Sequence, residues 1–177
     1  MDNRKKLPFN IYLIGFMGCG KSSAASYLNK KYGMPLIEMD ETIVEEAGMP
    51  ISRIFEEQGE AAFRKMETDL LKRMQSVENT VISCGGGVPM REENVRLMKE
   101  SGKIVLLTAS PEVILERVGS SSHRPLLEGR KTVEGIAELM DARRPAYEAA
   151  ADLTIMTDHK KNKEVCEEIL ARLEAEM

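Results

Sequence analysis

The run Gly15-Phe16-Met17-Gly18-Cys19-Gly20-Lys21-Ser22 sets glycines, a lysine and a hydroxyl at the spacing G-x-x-x-x-G-K-[ST], which cradles phosphate groups. The glycines let the backbone turn tightly and approach a ligand closely. Lys21 can carry a point charge to β- and γ-phosphates, and the Ser22 hydroxyl can ligate Mg²⁺. Phe9-Asn10-Ile11-Tyr12-Leu13-Ile14 before the run reads as a short apolar strand. Residues 23–32 after it read as a helix with Ala24, Ala25, Leu28 and Tyr32 on one face and Gly33 as its stop. Strand, glycine loop and helix together aim backbone N–H groups and a helix N-terminus at an anion. A chance glycine-rich turn is the alternative, and the Lys-Ser ending in this context argues against it.

Carboxylates for metal or proton work come from the second strand. Leu36-Ile37-Glu38-Met39-Asp40 carries acids at i and i+2, which share one side of extended backbone. One can anchor a metal shell while the other orients or deprotonates an attacking hydroxyl; the alternative is that Asp40 caps a helix over 41–47. The third strand, Thr80 to Cys84, ends without an acid and runs into Gly85-Gly86-Gly87, three residues whose bare backbone suits ligand contact or a plain turn. In a helix over about 60–77, Phe63, Met66, Leu70, Leu71 and Met74 form the buried stripe. Arg64 borders that stripe, whereas Lys65 and Lys72 point away. Arg143 shares the face of Val133, Ile136, Met140 and Tyr147. An inward-facing arginine needs an anionic ligand or an ordinary salt bridge, and periodicity leaves both readings open. The segment 119–130 has turn formers and no periodicity; a lid bringing Arg124 over the phosphates is preferred to a plain surface loop, because such chemistry must exclude water.

These residues need a frame. Strand-like segments at 9–15, 35–38, 80–84, 103–108 and 152–156 alternate with helical ones, the last at about 160–176 with Val165, Ile169, Leu170 and Leu173 on one face. Such alternation predicts an α/β fold with a parallel sheet between helical layers, and ligands beyond the carboxyl ends of its strands. Residues 39–78 form a helical lobe added to that core. With 177 residues, 42% hydrophobic and 31% charged, the chain reads as one soluble domain spanning 1–177. A net charge of −4 argues against broad nucleic-acid binding. No apolar run is long enough to span a bilayer, and Met1 to Lys6 is not followed by a signal-type core, which points to the cytoplasm. Cys19, Cys84 and Cys166 form neither a zinc spacing nor a disulfide framework. Cys19 and Cys84 each adjoin a glycine cluster and could approach one another, although small residues in tight turns is the preferred reading.

The ordered set of motifs resembles the shikimate kinase family, within the nucleoside-monophosphate-kinase-like group. It comprises Gly15 to Ser22, Asp40, Phe63-Arg64, Gly85-Gly86-Gly87, Arg124-Pro125-Leu126-Leu127 and Arg143-Arg144-Pro145-Ala146-Tyr147, the last fitting R-x-P-x-Y. The resemblance implies a three-layer P-loop kinase fold with a five-stranded parallel sheet in order 2-3-1-4-5. It implies transfer of the ATP γ-phosphate to the 3-hydroxyl of shikimate, with Mg²⁺. The expected partner is therefore a small molecule, with no nucleic acid and no membrane, and a monomer is expected although oligomeric state cannot be read from the residues. Gly18, Cys19, Gly20, Lys21, Ser22 and Ser23 would then hold the nucleotide phosphates, with Arg117 near adenine and Arg124 on the transferring phosphate. Asp40 would hold the substrate hydroxyls and act as base, beside Gly85, Gly86 and Gly87. Arg64 and Arg143 would pair with the substrate carboxylate, and Ser22 with Glu38 (through water) would serve the metal. One departure stands out: the family's Asp-x-Asp is Glu38-Met39-Asp40 here, which keeps the charge and lengthens the first acid by a methylene. The rivals are a sister kinase for gluconate or a nucleoside monophosphate, a GTPase switch, and a silent binding module. The switch lacks its D-x-x-G and N-K-x-D, and the silent module rests on Glu38 alone.

Overall fold

The computed structural model describes residues 4–118 and 132–177; the expected lid with Arg124 lies outside them. The first strand, β1 (Asn10–Ile14), is buried along its whole length, as a central strand covered on both faces must be. Four further strands flank it: β2 (Leu36–Glu38), β3 (Val81–Ser83), β4 (Gly102–Thr108) and β5 (Leu153–Met156). All neighbouring pairs are parallel, in the order β2-β3-β1-β4-β5. The expected strands are therefore present, mostly within a residue of the sequence-based bounds, in the order that the resemblance implied.

Strand alternation divides the interior in two. Tyr12, Ile14, Ile82, Ile104 and Leu106 face one core, while Ile11, Leu13, Val81, Val105 and Leu107 face the other. Helices α1 (Lys21–Tyr32) and α8 (Asn162–Ala175) close the second core with Ala24, Ala25, Leu28, Val165, Cys166, Ile169, Leu170 and Leu173. The first core is closed by α4 (Glu60–Arg73), α5 (Glu92–Ser101), α6 (Pro111–Val118) and α7 (Val133–Ala150). Sheet order reverses at β1, so a cleft opens at its carboxyl end, where Gly15 to Ser22 begins. Among the described residues no helix is long and apolar enough to cross a membrane.

Three expectations need correcting. The helix after β2 starts earlier than expected: α2 spans Met39–Ala47, with Glu38 as its N-cap residue and no side-chain cap. Asp40 therefore sits in a helical first turn, and the two acids are not neighbours on one extended edge. The helix over 60–77 ends at Arg73 and continues as a 3₁₀ turn, Met74–Ser76, while Met66 is only partly buried. Cys19 and Cys84 lie in opposite cores and form no disulfide with each other. All three cysteines are free and buried; burial raises the Cys84 thiol out of reach of ionisation and pushes Cys166 up to about 12, so neither is a ready nucleophile.

The helical lobe, α2 with α3 (Ile51–Gln58) and α4, is tied back to the sheet by one buried amide. Asn10 of β1 donates to Met74 O (3.3 Å) and Val77 O (3.0 Å) and accepts from Thr80 N (3.1 Å). Replacing it leaves these backbone groups without that partner. Asn10→Ala is expected to lower unfolding stability by about 2–3 kcal/mol in urea titrations; a loss below about 0.5 kcal/mol would contradict this tie.

Candidate active site

Gly20 is the N-cap of α1 at φ 103°, a conformation that disfavours any side chain. It lets the chain pass from the loop straight into helix at Lys21, so Ser22 and Ser23 fall in the helical first turn, two residues earlier than periodicity suggested. The Lys21 ammonium folds over the loop onto Gly15 O (2.6 Å) and Phe16 O (3.3 Å). Arg117, at the end of α6, donates to Gly18 O (2.9 Å), which places it on the rim of the phosphate loop.

Glu38 and Asp40 both meet this loop, though across a strand-to-helix turn. Burial raises the Glu38 carboxyl above its ordinary value, against hydrogen bonding from the Ser22 and Ser83 hydroxyls. Asp40 opens to the cleft, yet the surrounding protein removes enough water to raise its carboxyl too, against the attraction of Lys21 and Arg64. Asp40 therefore stands in the field of two cations, one from the phosphate loop and one from α4. Among the described residues no cluster of three or more acids, histidines or cysteines could cage a metal. The Ser22 hydroxyl and the Glu38 carboxylate are hard oxygen donors, which suits Mg²⁺ completed by phosphates and water rather than by an all-protein shell.

After β3 the chain turns through Gly85-Gly86-Gly87 into a 3₁₀ turn, Val88–Met90. Each glycine bears a charged neighbour. A Cβ on Gly85 would lie 2.9 Å from Glu67 Oε2 and 3.0 Å from Asp40 Oδ1; on Gly86, 2.5 Å from Arg143 Nη1; on Gly87, 2.3 Å from Arg64 Nη1. The turn thus gathers Asp40, Arg64 and Arg143 as expected, and adds Glu67. Tyr147 Oη donates to Gly86 O (2.8 Å) and accepts from Arg143 Nη1 (3.4 Å), fixing α7 against the turn. A separate groove of about 690 Å³ lined by Met90, Val95, Lys99 and Ala149 holds none of these groups.

The two arginines separate here. Arg64 is ion-paired with Glu67 Oε1 (2.8 Å) and more loosely with Glu60 Oε1 (3.4 Å), so the salt-bridge reading holds for it in this structure. Among the described residues no carboxylate lies within ion-pair distance of Arg143. Glu67 was missed at the sequence level. It is fully buried, its Oε2 has no hydrogen-bond partner among the described residues, and burial raises its carboxyl against the pull of Arg64. The signal was its position four residues after Phe63, on the apolar face of α4, where a lone acid needs a partner.

The family model described as "Shikimate kinase" matches residues 17–174. A shikimate kinase of Dehalococcoides mccartyi is 41% identical over 90% of this chain and 90% of its own length. Among solved structures, shikimate kinase from Acinetobacter baumannii in complex with shikimate superposes with a TM-score of 0.88 at 30% identity, covering 97% of this chain and 96% of that one. Shikimate kinase from Aquifex aeolicus superposes with a TM-score of 0.80 at 41% identity, covering 94% and 97%.

Glu67 has a signature in stability. A carboxyl raised on folding holds its proton more tightly in the folded chain than in the unfolded one. Its favourable contribution is complete below the ordinary value of 4.5 and is lost as pH climbs from there to the raised value. Glu67→Gln stays neutral throughout. In urea titrations from pH 4 to 7 the variant should therefore gain on the parent as pH rises, by up to about 1.4 kcal/mol per pH unit. A difference independent of pH would contradict the burial of an ionising acid at this position.

Proposed function

The chain belongs to the shikimate kinase family, and from that premise we propose how its own residues bring ATP and shikimate together. Its activity is ATP-dependent transfer of the γ-phosphate to the 3-hydroxyl of shikimate. The observation that carries the assignment of roles is the position of Asp40, in the field of both Lys21 and Arg64 and against the same glycine turn as Arg143. An anion seat for a small carboxylate and a cradle for phosphates then lie on opposite sides of one acid.

Phosphoryl transfer passes through a loose transition state, so positioning and charge neutralisation dominate the catalysis. Amides of Gly18, Cys19, Gly20 and Lys21, with the hydroxyls of Ser22 and Ser23, hold the phosphates, the Cys19 N–H exchanging its bond to Phe16 O (3.1 Å) for a phosphate oxygen. Lys21 exchanges its contacts with Gly15 O and Phe16 O for phosphate oxygens. Arg64 and Arg143 clasp the shikimate carboxylate across Gly86 and Gly87, and Gly85 leaves room for the ring beside Asp40. The raised basicity of Asp40 suits it to orient the 3-hydroxyl and accept its proton. Ser22 and, through water, Glu38 would hold Mg²⁺, which would supply neutralisation of phosphate charge; a water-mediated contact would absorb the extra methylene of Glu38. Arg117 flanks the adenine, and Arg124, by the resemblance of its motif, would serve the transferring phosphate. One domain, with 39–78 as substrate lobe and 119–130 as lid, suffices as a monomer, since every group assigned here comes from a single chain. Buried free thiols suit the cytoplasm.

A coupled assay of ADP release with shikimate, gluconate or AMP as sole acceptor tests this reading. Turnover is expected with shikimate alone. Asp40→Asn should lower kcat by about 10²–10⁴ with a small change in KM. Arg143→Ala should instead raise the shikimate KM by about 10- to 100-fold and spare kcat. Comparable rates with gluconate, or an Asp40→Asn variant with parental kcat, would overturn the assignment.

A further inference from the structure

An amide N–H aimed into a phosphate cradle sends the carbonyl of the preceding residue outward, and each outward carbonyl needs a donor. Along the loop, Gly15 O and Phe16 O take Lys21 Nζ, and Phe16 O also takes the Cys19 N–H (3.1 Å). Gly18 O takes Arg117 Nη1 (2.9 Å), and Gly20 O takes the Ala24 N–H (3.0 Å). Cys19 O has one donor among the described residues, the hydroxyl of Thr157 at 3.1 Å. Thr157 is the residue just past β5, 138 positions along the chain, and is buried.

The hydroxyl has one proton and two carbonyls in reach, Cys19 O and Thr108 O (2.9 Å). Thr108 O already accepts the N–H of Thr157 itself at 2.8 Å, so the proton is needed at Cys19 O. The oxygen remains free to accept from Arg117 Nη1 (3.3 Å), and Arg117 Nη2 reaches Thr157 O (3.5 Å). Arg117 and Thr157 thus grip two successive carbonyls of the loop from behind. The grip matters because Gly20 imposes almost no steric limit on rotation of the Cys19–Gly20 peptide. A bond to Cys19 O supplies the restraint that a side chain would supply elsewhere.

We propose that Thr157 is a positioning residue for ATP, whose hydroxyl locks the Cys19–Gly20 peptide so that the Gly20 N–H faces the phosphates. This rests on reading Gly15 to Ser22 as the ATP cradle. Thr157→Val keeps the shape and removes the proton, leaving Cys19 O without its donor. Calorimetric titration of MgADP and the KM for ATP read the effect, with titration of shikimate into nucleotide-free protein as control. Thr157→Val is expected to weaken MgADP and raise the ATP KM by about tenfold, to leave shikimate binding at the parental value, and to lower kcat much less than it raises KM. Thr157→Ser should restore nucleotide affinity. Parental MgADP affinity in Thr157→Val would overturn the proposal. So would proportionate weakening of MgADP and shikimate, which marks general damage, or a Thr157→Ser variant as poor as the valine one. Should Thr157→Val not fold, Thr157→Ala carries the same comparison. A parent protein that takes up no MgADP overturns the cradle reading and this proposal with it.

Discussion

Charged side chains lean on every residue of the turn Gly85-Gly86-Gly87, and each sits where a Cβ would otherwise be. Two guanidinium groups, from α4 and α7, reach adjacent peptide units, and two carboxylates meet on the third. Like charges gathered so closely repel, and the arrangement is tolerable because the opposite charges alternate with them: Glu67 on Arg64, and Asp40 between Arg64 and Lys21. Without a backbone stripped of side chains, the arginines would stand farther off and Asp40 would have no space beside it for a substrate ring. The remaining fold can be understood as the means of delivering these groups to one edge of the sheet.

The lobe from α2 to α4 holds Asp40, Arg64 and Glu67 on one rigid piece, which Asn10 ties to β1. Buried and short of one hydrogen bond, Glu67 is a costly residue for stability. Its placement makes physical sense if Arg64 must be held before an anion arrives, because a free arginine would lose side-chain entropy on every binding event. The phosphate loop follows the same logic by a different route. Three of its carbonyls are restrained from outside: Gly18 O by Arg117, Cys19 O by Thr157 and Gly20 O by the first turn of α1. Both ligand sites are thus prearranged by contacts on the side away from the ligand.

The share of this legible in the sequence depended on how local each requirement was. The phosphate loop needs eight consecutive residues and a strand and helix on either side, so it could be read directly, as could the strand alternation and the sheet it predicts. Three successive glycines advertised a close approach without saying what approaches. Asp40 was found for its chemistry, though the argument that placed it, two acids on extended backbone, was wrong because the chain turns helical at Met39. Periodicity brought Arg64 and Arg143 to the border of buried faces but could not choose between ligand and salt bridge, a choice that depends on neighbours. Glu67 carried a local signal, an acid on the apolar face of α4 three residues from Arg64, whereas Thr157 acts through a contact 138 residues away. A threonine after a final strand has no local signal at all.

In the proposed mechanism the bare turn at 85–87 lets the guanidinium groups converge on the substrate carboxylate. Gly87→Ala tests it most directly, since Gly87 has an ordinary backbone conformation (φ −89°) and the three atoms nearest the new methyl all belong to the guanidinium of Arg64. Calorimetric titration of shikimate and of MgADP into that variant separates the two sites. Shikimate affinity should fall by about tenfold or more while MgADP binds as in the parent. Parental shikimate affinity in Gly87→Ala would contradict the account.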